Sequence, residues 1–456
     1  MITKQRTTRW SALLLAGLAV TAAGCDSLTD VEERDTLPPE AIANAAGANA
    51  LYLAAVQTFV WALNGDGGGG TEGQVLISGM LADEFRHSGT FSTRVDYDMR
   101  ASDLNNSTLA LAFRNLHDGR VEAHRAISAI SALPDFDAAT DDRIPELNNA
   151  IGIIFLTSAQ NYCNGIPFSN YDGATLIPGE QLTNVQMVDS SAVYFDRALA
   201  GAGGSGSLNH HVARLMKARG MILKSRSNLG AAASLVATVP TTMMAPFFHA
   251  DTPINLRNGI YVFNVQNERW TVAHRDGGNG LPFLGDDAIN ASLADPRVPW
   301  KRDGSDVGFD NTTPQYDLQI YKTNTATSTY GLGIEARLIE AEADLEAGAT
   351  QAWLDKLNNL RATVTGLAPL SDPGSDAARV DLMFSERAFW LFARGTRLMD
   401  LRRLVRQYGR NSEDVFPSGS YFKGGTYGPD VNLPVPTVEN QNPLYASGIA
   451  CLDRNA

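Results

Sequence analysis

The stretch "ERAFWLFARGTRLMDLRR", Glu386 to Arg403, threads five arginines through an aromatic and aliphatic run, in a chain of 456 residues with a formal net charge of −13. At 100° per residue, Ala388, Phe389, Leu391, Phe392, Gly395, Leu398 and Met399 gather on one face of a helix, read here as the buried face. Glu386, Arg387, Arg394, Arg397 and Asp400 fall on the other side, with Arg397 and Asp400 spaced to pair at i,i+3. An acidic chain repels polyanions, and no glycine-rich phosphate loop precedes this helix, so nucleic acid is excluded as a partner. The arginines are expected to find carboxylates inside the protein instead, the acidic run "EARLIEAEADLEA" (Glu335 to Ala347) being the available surface.

That acidic run is itself helical in pattern. Leu338, Ala341 and Leu345 recur at helical spacing, Gly348 stops the run, and "AWLDKLNNLRATV" (Ala352 to Val364) begins a second helix carrying Leu354, Leu357 and Leu360. The same plan returns in His211 to Val239, with a turn at Asn228, Leu229 and Gly230 and small alanines opening the second helix. A looser pair spans Leu111 to Ile130 and Glu146 to Tyr162, and Ala41 to Leu63 adds another helix. The expectation is a mainly α fold of tetratricopeptide-like helix pairs. Pro240 to Tyr330, rich in Gly, Pro, Asn, Asp and aromatics, is too long for a plain connector and is expected to carry the binding surface.

The N-terminus reads as an export signal. Lys4, Arg6 and Arg9 precede the apolar "ALLLAGLAV" (Ala12 to Val20), and "TAAGC" places small residues before Cys25. Residues 1–24 are therefore read as a lipoprotein signal peptide, Cys25 as the lipidated residue and 25–40 as a polar, acidic tether. In an exported protein Cys163 and Cys451 form one disulfide or remain two buried thiols, and the sequence leaves both open.

In their order along the chain, "LADEF" (Leu81 to Phe85), "AIGIIFLTSAQNYCNGIPF" (Ala150 to Phe168), "VARLMKARGMILK" (Val212 to Lys224), "DPR" (Asp295 to Arg297), "ARLIEAEA", "LNNLRA", "ERAFWLFARGTRLMDLRR" and "LPVPTVENQNP" (Leu433 to Pro443) resemble the SusD/RagB-like outer-membrane nutrient-binding lipoproteins. The resemblance implies four tetratricopeptide-like helix pairs supporting a loop-rich ligand-binding half. Residues 41–456 would then form one SusD-like domain, with 240–330 as the ligand-binding region and 331–456 as a helical and loop region. It also implies a lipid-anchored outer-membrane protein that captures glycans, oligosaccharides or peptides at the cell surface. Such a protein delivers them to a TonB-dependent β-barrel transporter and does no chemistry.

The residues themselves point the same way. No His-Glu-x-x-His, Gly-x-Ser-x-Gly or Walker A motif occurs, and neither a metal nor a cofactor is expected. The glycine run Gly65 to Gly70 follows a helix rather than a strand and reads as a loop. Asp135, Asp137, Asp141 and Glu146 approach calcium-loop spacing, but Ala139 and Thr140 stand where a ligand and the turn glycine are needed. Sugar binding requires flat apolar faces with polar side chains beside them. Tyr261, Asn264, Arg269, Trp270, Asp295, Trp300 and Tyr316 supply that mixture and are the candidate ligand contacts. Two other functions remain open from sequence: an exported glycan-acting enzyme, and a tetratricopeptide-type scaffold that binds protein.

Overall fold

The computed structural model describes residues 43–171, 175–285, 294–304 and 306–445. The expected signal peptide, tether and Cys25 lie outside these residues, as does Cys451. Twelve long or framing helices organise the chain: α1 (Ala45–Asn64), α2 (Gln74–Leu81), α3 (Ser92–Asp98), α4 (Ser107–Ser131), α5 (Arg143–Asn161), α6 (Asn184–Ala200), α7 (Leu208–Lys224), α8 (Leu229–Val236), α9 (Gly333–Glu346), α10 (Thr350–Arg361), α11 (Asp376–Trp390) and α12 (Arg397–Tyr408). The fold is mainly α, as expected.

Helices stack in sequence. α1 lies on α4, α4 on α5, α5 on α6, α6 on α7, α7 on α8, α8 on α9 and α9 on α10. Close approach depends on small residues at the crossings. A Cβ at Gly152 of α5 would stand 2.6 Å from the Phe195 ring of α6, so any larger residue there pushes the pair apart. α1 is long and apolar enough to cross a membrane, but it packs on α4, and Leu51, Ala55, Phe59 and Val60 are buried within the protein. α6 is absent from the sequence-derived pairs, although its start is marked: Thr183 and Gln186 form a reciprocal capping box. The turn between α7 and α8 is also earlier than read, over Ser225 to Asn228, with Leu229 already helical.

The stretch from Glu386 to Arg403 is not one helix. α11 stops at Trp390, and α12 restarts at Arg397 after a turn in which Ala393 (φ 55°) and Gly395 (φ 70°) are left-handed. The reason is local: the Ala393 amide donates to Glu84 Oε1 (2.9 Å), and Arg397 is thereby aimed at Asp83 rather than at Asp400. Two short bonds of 2.6 and 2.8 Å join Arg397 to Asp83.

Neither side of the stretch faces water, because its charges are matched internally. Arg387 bonds Asp400 (2.8 Å), Arg403 reaches Asp400 (3.3 Å) and Glu342, and Tyr408 donates to Glu342 (2.6 Å). Glu342 lies on α9, in the acidic run that the sequence offered as a partner. Arg402 donates instead to the carbonyls of Ala159 (3.1 Å) and Gln160 (2.5 Å), the orphan acceptors at the end of α5. The arginines therefore join α5, α9, α11 and α12 into one body.

The other half is built from short strands: β1 (Phe85–His87), β2 (Met244–Phe247), β3 (Trp270–Val272), β4 (Trp300–Lys301), β5 (Asp317–Leu318) and β6 (Ser328–Leu332). Three antiparallel two-stranded ribbons result, β1 with β3, β2 with β6 and β4 with β5. The β1–β3 ribbon aligns Phe85 with Val272 and His87 with Trp270, which brings the loop after β1 beside the irregular middle region.

Candidate functional site

A cleft of about 700 Å³ opens at that junction. Its lining includes Arg86, Thr90, His274, Asp310, Tyr316, Phe422 and Lys423, drawn from the β1 end, the middle region and the C-terminal loop. Tyr316 and Phe422 are half-buried, with Arg302 over the Tyr316 ring at 5.3 Å and Arg86 over that of Phe422 at 5.1 Å, while Thr90 and Thr312 at the rim are exposed.

Tyr316 is held from beneath. The Trp300 ring meets it edge-on at 5.1 Å, and Trp300 Nε1 donates to the Leu284 carbonyl (3.1 Å). Asn264 donates to the carbonyls of Trp270 (2.6 Å) and Tyr316 (3.2 Å) and accepts from the Leu318 amide (2.7 Å). Every atom of the Asn264 amide is thus engaged, and Asn264, Trp270 and Trp300 are buried. These three do not offer a face to a ligand, contrary to the sequence expectation. The size that makes a Trp attractive to a sugar also makes it the best filler for the floor under Tyr316.

The remaining candidates divide. Tyr261 is half-buried at the end of a short helical turn, Gly259–Tyr261, away from the cleft lining. Asp295 holds Arg297 through two bonds (2.9 and 2.7 Å), and Arg297 passes on to Glu386 (2.8 Å), so this pair braces α11. Arg269 is not in the cleft lining but lies beside it, its Cγ 3.4 Å from where a Cβ on the lining residue Gly89 would stand. Cys163 is buried and disulfide-bonded.

The polar wall is preorganised. Lys423 Nζ bridges Asp310 Oδ2 (2.7 Å) and the Gly89 carbonyl (2.7 Å), pinning the C-terminal loop across two others. Burial raises the Asp310 carboxyl, but bonds from Lys423 and from the Thr313 hydroxyl and amide outweigh it and hold Asp310 below the usual carboxylate range. Arg86 pairs with Asp276 (2.6 Å), and Tyr427 donates to the same Asp276 oxygen (2.7 Å). Nearby Asp98 accepts from Tyr421 (2.6 Å) and the His87 amide (3.0 Å); burial, then repulsion from Asp276, pushes it up to about 8. His87 is pushed down to about 3 by burial and by Lys423 and Arg94, so it is neutral.

Sequence reading missed Arg86, Phe91, Phe309, Asp310, Phe422 and Lys423. A signal existed. Phe91 stands among small polar residues in "SGTFST", and Phe309 and Phe422 stand in the short glycine-bearing stretches "VGFDNT" and "SYFKGG", where no periodic pattern asks for an apolar side chain.

The acidic candidates elsewhere serve the loop itself. Asp137 accepts from the Ala139 amide (2.9 Å), Asp141 holds Arg143 (2.6 Å), and Glu146 accepts from Tyr52 (2.5 Å). Among the described residues no cluster of His, Cys, Asp and Glu is arranged to hold a metal.

Solved structures with the same arrangement exist. A SusD superfamily protein from Parabacteroides distasonis superposes with a TM-score of 0.63 at 11% identity, covering 90% of this chain and 98% of that one. The fold is that of the SusD superfamily. Surface glycan-binding protein A from Bacteroides uniformis gives 0.62 at 13% identity, covering 88% of this chain and 98% of its own. A SusD superfamily protein from Bacteroides vulgatus gives 0.62 at 13%, covering 88% and 97%. No protein-family model and no curated protein matches the sequence. The SusD-like architecture is therefore shared at identities where side chains are free to differ.

Proposed function

We propose that this protein is a cell-surface glycan-binding lipoprotein, anchored through Cys25 at the outer membrane, that hands captured oligosaccharides to a TonB-dependent barrel transporter. The observation that carries the reading is the open cleft, in which the half-buried residues Tyr316 and Phe422, each with an arginine over its ring, stand beside fixed charges and hydroxyls. Aromatic faces cover the C–H surfaces of a sugar, and rigid donors and acceptors take its hydroxyls at little entropic cost. SusD-like neighbours named as surface glycan-binding proteins support the same conclusion.

A hydrolytic reading finds less support. A glycosidase needs two carboxylates facing each other across its cleft, roughly 5 to 10 Å apart. Among the described lining residues Asp310 is the one carboxylate, and Lys423 and Thr313 already engage it.

Calorimetric titration with a panel of neutral and acidic oligosaccharides tests the site. Tyr316→Ala and Phe422→Ala should each weaken binding about tenfold, equivalent to about 1.4 kcal/mol, in proteins that stay folded at the titration temperature. Undiminished affinity in both variants would remove this cleft as the binding site. For the transporter, mild-detergent extraction of the tagged full-length protein should recover a β-barrel in equal amount; recovery without one, from membranes that contain it, would count against delivery.

A further inference from the structure

Arg269 lies beside this cleft, next to Gly89, and among the described residues no carboxylate contacts it; Arg302, over the Tyr316 ring at 5.3 Å, likewise forms no ion pair and donates to the Asp306 carbonyl. Asp310 is matched by Lys423, Asp276 by Arg86 and Asp317 by Lys301 at 3.6 Å. Arg94, the next arginine to Arg269, is paired with Glu72. Arg269 has neither an ion pair nor a side-chain hydrogen bond among the described residues, and its Nε is buried without a partner. Glu268, its neighbour in the chain, is exposed and has a left-handed backbone.

The surroundings are built to present it. The guanidinium lies 5.1 Å from the Phe91 ring centroid and 4.9 Å from that of Phe309. Those rings are 46% and 49% exposed, unusually open for phenylalanine. Backbone bonds lock the three loops together: Ser88 N to Arg269 O (3.0 Å), Phe309 N to Glu268 O (2.9 Å) and Asp310 N to Ser88 O (3.0 Å). Phe91 and Phe309 directly adjoin the cleft residues Thr90 and Asp310. Clamping a guanidinium between two rings fixes its plane and leaves its edge to receive a partner, and a planar donor fork matches a carboxylate or sulfate.

We propose that Arg269, held between Phe91 and Phe309, selects acidic oligosaccharides, those bearing uronate carboxylates or sulfate esters, as the ligands of this cleft. The inference rests on the glycan-binding reading above. In a chain of net charge −13, a polyanion is disfavoured everywhere that lacks such a fixed cation, so Arg269 would also set where along the surface the acidic sugar docks.

The test is titration of the full mature protein with oligogalacturonides, alginate and chondroitin sulfate oligomers, set against malto- and xylo-oligosaccharides of equal length. At least one acidic oligomer should bind tenfold or more tightly than every neutral one, and the preference should shrink as salt is raised. Arg269→Gln should abolish that preference while keeping the wild-type melting temperature. Arg269→Lys should retain part of it, since the charge survives and the planar fork does not. Neutral oligomers binding as tightly as acidic ones would overturn the selectivity and leave glycan capture standing. An acidic preference unchanged in Arg269→Gln would overturn the role of Arg269. Failure of every oligosaccharide to bind the wild type would overturn both readings.

Discussion

Glu84 is wholly buried, takes one amide bond from Ala393 and leaves its other carboxyl oxygen without a partner. Burial, with Asp83 alongside, pushes it from 4.5 up to about 8, against the pull of the Ala393 amide and of Arg397. The folded protein therefore holds a proton that the unfolded chain has released between those two values. Its contribution to stability is complete below about pH 4.5 and is lost as pH rises towards 8. Glu84→Gln imitates the protonated form and should flatten the fall, by up to about 1.4 kcal/mol per pH unit. Urea unfolding of both proteins from pH 4.5 to 8 reads this directly; parallel stability curves would refute a protonated Glu84. The adjacent Asp83 receives two bonds from Arg397 where Glu84 receives one amide.

Between α11 and α12 the chain turns through Ala393 and Gly395, and this turn decides where Arg397, Arg402 and Arg403 arrive. A Cβ on Gly395 would meet Val75 Cγ2 at 3.3 Å while holding φ at 70°. Gly395→Ala should cost about 1–2 kcal/mol from left-handed strain and the Val75 contact. The loss would appear as a lower denaturation midpoint at unchanged urea slope; a variant as stable as wild type would show that the turn adjusts freely. Helix pairs such as α9 with α10 were legible in the sequence because periodicity and a stop glycine coincide at Gly348. The break inside Glu386 to Arg403 was hidden because apolar residues continue through it and Ala393 is not a residue that announces a turn. The cleft was less legible still. Searching for Trp and Tyr found Tyr316 and the Trp300 beneath it, but the other rings at the cleft, Phe91, Phe309 and Phe422, are phenylalanines contributed by segments far apart in sequence. Nothing in a local pattern brings Gly89, Asp310 and Lys423 together.

The C-terminal segment unites the two halves of the molecule. After α12 the chain supplies Phe422 and Lys423 to the cleft, then runs back along the scaffold. There Leu433 exchanges backbone bonds with Asn161 (2.7 Å) and Cys163 (3.1 Å). The clasp holding this path is Arg100, a fully buried side chain with a left-handed backbone (φ 57°). It donates to the carbonyls of Asp430 (2.8 Å) and Pro417 (2.5 Å) and to Glu413 (3.1 Å), and the Phe416 ring covers it at 5.0 Å. Removing it takes the guanidinium donors away from both buried carbonyls. Arg100→Ala should therefore cost about 3 kcal/mol or more, concentrated in the segment it clasps. Hydrogen exchange should speed up between Glu413 and Asp430 while α4 to α6 stay protected, since those helices pack without it. Glycan affinity should fall along with that protection, because Phe422 and Lys423 reach the cleft only if the segment is held. The decisive comparison is with Phe422→Ala, which removes the ring and leaves the clasp. If Arg100→Ala loosens the segment yet binds glycan as the wild type does, the C-terminal loop is packing and not part of the site. Loss of binding in both variants, with loosening in only one, makes the clasp the link by which the helical scaffold positions the cleft.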